Sequence, residues 1–185
     1  LLGVEDDLYF PRVLIYFFGH FGIKHLILNS LFFGILGHYL ENKFSSNLLV
    51  ITFLTSSIVA GICFLIWQYV KPFGLVEIQT TSGASGGIFG LAGAIFITKS
   101  GKSIKPLSRI SWFKIPSILI KLIILLFWIP QFYYLFINDG YSLYAYSTHV
   151  FGFITGIISI FVYRSLSTAP NKLVEIDRIF RKPLE

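Results

Sequence analysis

Charged side chains are scarce: 13% of the 185 residues are charged and 55% are hydrophobic, too little charge to cover the surface of a soluble domain of this length. The net charge of +6 does not point to nucleic acid, because the basic residues are sorted by connector and so report orientation in a bilayer. Cysteine occurs once, at Cys63, which excludes an internal disulfide. Methionine is absent and the chain starts at Leu1, so an upstream segment, including a first transmembrane helix, is expected. No signal peptide is readable, since Leu1 to Phe10 carries Glu5, Asp6 and Asp7 where a leader would be basic. Internal repeats and low-complexity segments are also missing.

What the chain does have is five apolar stretches, running approximately from Ile23 to Leu40, Leu48 to Val70, Gly83 to Thr98, Ile115 to Ile137 and Ser147 to Tyr163. Each except the third approaches or exceeds the length needed to cross about 30 Å of hydrocarbon as a helix. The second and fourth show almost no polar face at helical period, which argues against helices buried in a soluble core. The expected fold is therefore an all-α polytopic membrane bundle with five transmembrane helices, a sixth lying upstream. Residues 1–22 form an external membrane-interface segment, 23–164 the transmembrane core and 165–185 a basic cytoplasmic tail.

Lys99, Lys102, Lys105, Arg109 and Lys114 fill the connector before the fourth stretch, and Arg164, Lys172, Arg178, Arg181 and Lys182 follow the fifth. The excess places both on the cytoplasmic side. Alternation then puts Glu41 to Asn47 inside, and Leu1 to Gly22, Lys71 to Ser82 and Asn138 to Tyr146 outside. Tyr9, Phe10, Tyr16, Phe17, Phe18 and Phe21 suit the headgroup boundary. The third stretch, 16 residues from Gly83 to Thr98, is short for the bilayer, so its outer end starts below the surface. The loop before it must then dip into a cavity. Lys121 is expected to snorkel to the headgroups as an anchor, and Pro130 to kink the fourth helix. The expected location is a multi-pass position in a bacterial cytoplasmic (inner) membrane or another plasma membrane, with the site opening to the outer side.

Polar groups that persist on apolar helices are functional candidates, because their burial in lipid is unfavourable. Three clusters qualify. Gly83-Ala84-Ser85-Gly86-Gly87 puts a serine at the submerged start of a helix, where free backbone N–H groups favour developing negative charge. Gly86, Gly90 and Ala94 also form a small-residue packing face, which explains the glycines without explaining the serine. Alone, G-x-S-G is a weak signal. His149 is read at the outer end of the last helix, with Gly152 and Gly156 on its own face. If that stripe meets the Gly86 and Gly90 face, His149 arrives beside Ser85 as its general base; the plainer reading is an interfacial histidine bonded to a loop. The third cluster is His20, His25 and Asn29, of which His25 and Asn29 project from one helix face at i, i+4. With the Ser85 backbone N–H they would hold an oxyanion, unless they serve only as inter-helix hydrogen bonds.

A zinc site built from His20, His25 and His149 finds no H-E-x-x-H motif and no outer-half carboxylate to support it. Neither metal nor cofactor is expected. The nearest carboxylates, Asp139 in a loop and Glu41 at the opposite face, are poorly placed to orient His149, which favours a Ser-His dyad over a triad.

The order His20, His25-x-x-x-Asn29, then Gly83-Ala84-Ser85-Gly86, then His149-x-x-Gly152-x-x-x-Gly156 resembles the rhomboid protease family over about Tyr9 to Arg164. The resemblance implies a rhomboid-like bundle, Ser85 and His149 as catalytic dyad, and His25, Asn29 and the Ser85 amide as oxyanion hole. Arg12 matches the family's aromatic-arginine motif, although Pro11 replaces the usual tryptophan. Gly37-x-x-x-Glu41 matches the front of its glycine-glutamate motif, with Ser45 where a second glycine is common. Phe89 stands where many members have tyrosine, and its ring can still stack on His149. The implied activity is serine endopeptidase cleavage in or next to transmembrane segments of protein substrates. The partners are those substrates and the lipid bilayer, not nucleic acid. The rival readings are an inactive rhomboid-like client-binding protein and a transporter or channel.

Overall fold

A computed structural model describes residues 13–70, 81–99, 117–136 and 143–167. Arg12, Asp139, most of the basic connector between the third and fourth helices, and the tail beyond Ser167 lie outside the described residues. The expectations for loop sidedness and for a basic tail therefore fall outside them too.

The described chain is all-helical: a 3-10 turn at Tyr16–Phe18, then α1 (Ile23–Lys43), α2 (Ser46–Val70), α3 (Ser85–Phe96), α4 (Ser117–Phe136) and α5 (Leu143–Ser167). Two helices are long and apolar enough to cross a membrane, over Ser46–Ile66 and Tyr146–Ser167, and shorter apolar helices span Ser85–Phe96 and Ile118–Tyr133. α1 is not among them; it carries Lys24, His25, Asn29, His38, Glu41 and Lys43.

α3 is the hub. Nine of its 12 residues are buried, and it packs most extensively against α5, then α2 and α1. The sequence makes this possible through its small residues. A Cβ at Gly152 would lie 2.1 Å from the Gly86 carbonyl oxygen, and one at Gly156 1.8 Å from that of Gly90. The two backbones therefore touch along the expected Gly86, Gly90, Gly152, Gly156 stripe, the small-residue packing used between membrane helices. α4 leans mainly on α5 and meets α3 only slightly.

Large apolar side chains cover the outside as well as the core, which holds Leu40, Phe64, Leu91, Ile95 and Ile160. Ile27, Leu31, Val50, Ile51, Leu126, Ile129, Ile158 and Phe161 are exposed, whereas Thr52, Ser56, Ser57, Ser147 and Thr148 are buried. An apolar girdle of this extent matches acyl chains.

Helix ends are secured by side chains. Ser45 Oγ accepts the Leu48 N–H at 3.2 Å, an N-cap for α2, so the serine in place of the family's glycine starts a helix. Lys121 donates to the Thr98 carbonyl and Lys43 to the Lys99 carbonyl. Lys121 was expected to anchor in the headgroups. Instead it satisfies a backbone acceptor just past the end of α3, where the helix dipole favours a cation.

The 3-10 turn is bolted to the bundle. The Tyr16 hydroxyl donates to the Ser57 carbonyl at 2.8 Å, and the Tyr16 carbonyl accepts from Ser82 Oγ at 3.3 Å and from the Gly83 N–H at 3.3 Å. Burial, with a smaller contribution from Cys63, pushes the Tyr16 phenol pKa well above its usual range, so the hydroxyl keeps the proton it donates.

Candidate active site

Ser85 is the first residue of α3, with Ala84 as its N-cap. The first helical backbone bond at this end runs from the Ile88 N–H to the Ala84 carbonyl. The N–H groups of Ser85, Gly86 and Gly87 therefore lack helical acceptors and leave partial positive charge beside the serine. Gly83, two residues earlier, has φ +125°, a conformation open to glycine but strained for other residues. It lets the chain turn sharply into the helix.

His149 reaches Ser85 from α5. Its Nε2 lies 2.8 Å from Ser85 Oγ, within the range of a serine activated by an imidazole base. The histidine sits deeper than the apolar pattern suggests. α5 begins at Leu143, so His149 is the seventh helical residue rather than the outer end. The reason is physical: hydropathy marks where a helix meets lipid, while backbone hydrogen bonding runs on through Leu143 to Tyr146. Behind the imidazole the Phe89 ring stacks at 4.4 Å and 9°, so the expected aromatic contact forms without the tyrosine hydroxyl.

α1 brings the third cluster to the same place. A Cβ at Gly83 would lie 2.6 Å from His25 Cε1 and 3.3 Å from Asn29 Nδ2, so both side chains crowd the turn that presents Ser85. Asn29 is 8% exposed, and its Nδ2 is buried with no hydrogen-bond partner among the described residues. The Asn29 side chain also lines the cavity beside Ser85. His20 stands apart: its Nδ1 is 3.2 Å from the Phe18 carbonyl, and its ring meets the edge of His25 at 5.2 Å. No group of three or more potential metal-ligating side chains is assembled among the described residues.

A cavity of about 400 Å³ opens between α1 and α4 with α3 as its floor. His25, Asn29, Ser85, Gln131 and His149 supply its polar groups, and Phe32 and Phe127 help form its apolar sides. The Phe32 and Phe127 rings, one from each wall, meet edge to face at 5.2 Å. A mostly apolar concavity with a few convergent polar groups is the usual form of a binding site.

One residue of the site escaped the sequence reading. Gln131 Oε1, on α4, lies 2.6 Å from His149 Nδ1. The signal was there: a polar amide on an otherwise apolar helix, beside Pro130. A triad is ordinarily completed by a carboxylate, and here an amide stands in that place.

The family model described as Rhomboid domain matches residues 8–166. None of the curated proteins compared matches the chain.

Proposed function

The chain belongs to the rhomboid family, and from that premise we propose that it is a serine endopeptidase cutting peptide bonds in or next to transmembrane segments of other membrane proteins. The family's members are integral membrane proteins and generally serine intramembrane proteases. The observation that carries the reading to this chain is the 2.8 Å contact between Ser85 Oγ and His149 Nε2 at the floor of a cavity between apolar helices.

In this reading Ser85 Oγ attacks the scissile carbonyl carbon as its proton passes to His149 Nε2, giving a tetrahedral oxyanion. His25, Asn29 and the Ser85 N–H hold that oxygen. The C–N bond then breaks, the leaving amine takes the proton from His149, and an acyl-enzyme ester remains on Ser85. A water molecule, deprotonated by His149, attacks the ester, releases the acid product and restores the serine. The substrate segment must unwind locally to present its peptide bond, so small or helix-breaking residues near the cleavage point are favoured. It is admitted between α1 and α4, where the Phe32–Phe127 contact closes a wall weakened by Pro130. The five helices all span the bilayer, with the site opening to the outer face, in a bacterial cytoplasmic membrane or another plasma membrane.

Cleavage of a labelled transmembrane substrate in detergent by the wild type, Ser85→Ala and His149→Ala tests this proposal. Turnover by the wild type and none by either variant is expected. Equal turnover by Ser85→Ala, or no Ser85-dependent turnover at all, contradicts it; the second result is what a client-binding member without activity would give.

A further inference from the structure

We infer that Gln131 is a positioning residue for His149, a neutral third member that fixes the tautomer and ring plane of the base. The inference rests on the proteolytic reading above for its consequence, but on geometry for its content.

His149 has two ring nitrogens and both are engaged: Nε2 at 2.8 Å from Ser85 Oγ and Nδ1 at 2.6 Å from Gln131 Oε1. An amide oxygen only accepts hydrogen bonds, so Nδ1 carries the hydrogen and donates it to Gln131. In a neutral imidazole that leaves Nε2 with its lone pair free. Nε2 is the atom facing the serine hydroxyl, so the hydrogen-bond chain runs Ser85 Oγ–H to Nε2, then Nδ1–H to Gln131 Oε1. The opposite tautomer would place a hydrogen on Nε2, where it blocks proton transfer from the serine.

The ring is gripped on a third side by Phe89, stacked at 4.4 Å. Stacking fixes the plane but chooses neither between the two flipped orientations of the ring, which exchange Nε2 with Cε1 and Nδ1 with Cδ2, nor between its two tautomers. Only a directional partner at Nδ1 breaks that degeneracy, and Gln131 is the polar side chain of the cavity wall on the α4 side. A carboxylate at this position would do the same work more strongly but would carry charge into an apolar cavity, where desolvation opposes it. An amide supplies the acceptor without the charge.

Placement on α4 gives the contact a second meaning. α4 is the helix most weakly tied to α3, and it carries both Phe127 of the cavity wall and Gln131 behind the base, one helical turn apart. Because α4 packs mainly on α5, the helix that carries His149 also supports the helix that carries its partner.

The test uses the full chain in detergent with ¹⁵N-labelled histidine, at mildly alkaline pH with the ring neutral, the His149 signals being identified by their loss in His149→Ala. The wild type is expected to show a pyrrole-like Nδ1 and a pyridine-like Nε2. In Gln131→Leu, and in the near-isosteric Gln131→Met should the leucine variant fold poorly, both shifts should move toward the average of two tautomers. Gln131→Glu, which keeps an acceptor, should restore the wild-type pattern. On a transmembrane substrate, loss of one hydrogen bond to the base should lower kcat about tenfold in Gln131→Leu with KM unchanged, and Gln131→Glu should recover most of it. An unchanged ring spectrum in Gln131→Leu or Gln131→Met overturns the inference whatever the rate does. A wild type that cleaves nothing while its ring spectrum responds to Gln131 defeats the proteolytic reading and leaves the positioning role standing.

Discussion

Asn29 is buried with an amide nitrogen that has no partner among the described residues, and it adjoins the turn that carries Ser85. In the proposed mechanism a donor placed here strengthens its hydrogen bond as the oxyanion forms, so the transition state is held more tightly than the substrate. Asn29→Ala is therefore expected to lower kcat about 10²- to 10³-fold, as loss of one such donor does elsewhere, with little change in KM. Steady-state cleavage of a labelled substrate checks this, and an unaltered kcat would remove Asn29 from the oxyanion site. At this scale much was legible. The i, i+4 spacing put His25 and Asn29 on one face, and the matching glycine stripes brought His149 to Ser85. Gln131 was not, because nothing in one helix's own pattern says which residue on another helix will face an imidazole nitrogen.

The five helices divide into a rigid set and a looser one. α3 is locked to α5 by backbone contact at Gly86–Gly152 and Gly90–Gly156, so the serine and the histidine are fixed to one another through main chain rather than long side chains. α4 has no such stripe, and the cavity separates it from α1. Joining α1 to α4 should therefore bar a helical substrate while leaving the dyad intact. With the native Cys63 replaced by alanine, a bifunctional thiol reagent spanning Phe32→Cys and Phe127→Cys is expected to abolish cleavage of a transmembrane substrate and to leave small-molecule acylation of Ser85 unchanged. Undiminished cleavage after complete cross-linking would place substrate admission elsewhere. The existence and order of the helices were readable from apolar runs, but their ends were not. α3 came out shorter than its stretch, Ser85–Phe96 within Gly83 to Thr98, because the Gly83 turn and the lysine-held carbonyls at Thr98 and Lys99 take up its flanks. α5 came out longer, since a helix does not stop where its lipid contact does.

The molecule as a whole has apolar residues outside and an apolar core within, in which a few hydroxyls, amides and imidazoles are buried, and one cavity gathers several of them. In the proposed reaction water is the second substrate, and the cavity that holds Ser85 and His149 is where it must arrive. Composition announced the membrane, whereas the inward polar residues Thr52, Ser56 and Ser57 were invisible in α2, whose apolar average hides them. The Tyr16 tether, by which the turn before α1 holds the Ser82–Gly83 segment in place, was equally hidden, since it links positions 66 and 67 residues apart through backbone carbonyls.

In the proposed mechanism Ser85 is a nucleophile activated by His149. The most direct measurement is covalent capture: incubation of the detergent-solubilised protein with a fluorophosphonate, followed by intact mass and peptide mapping. A single adduct on Ser85 is expected, lost in Ser85→Ala and greatly slowed in His149→Ala. No adduct on the wild type, or labelling that is indifferent to His149, would contradict it.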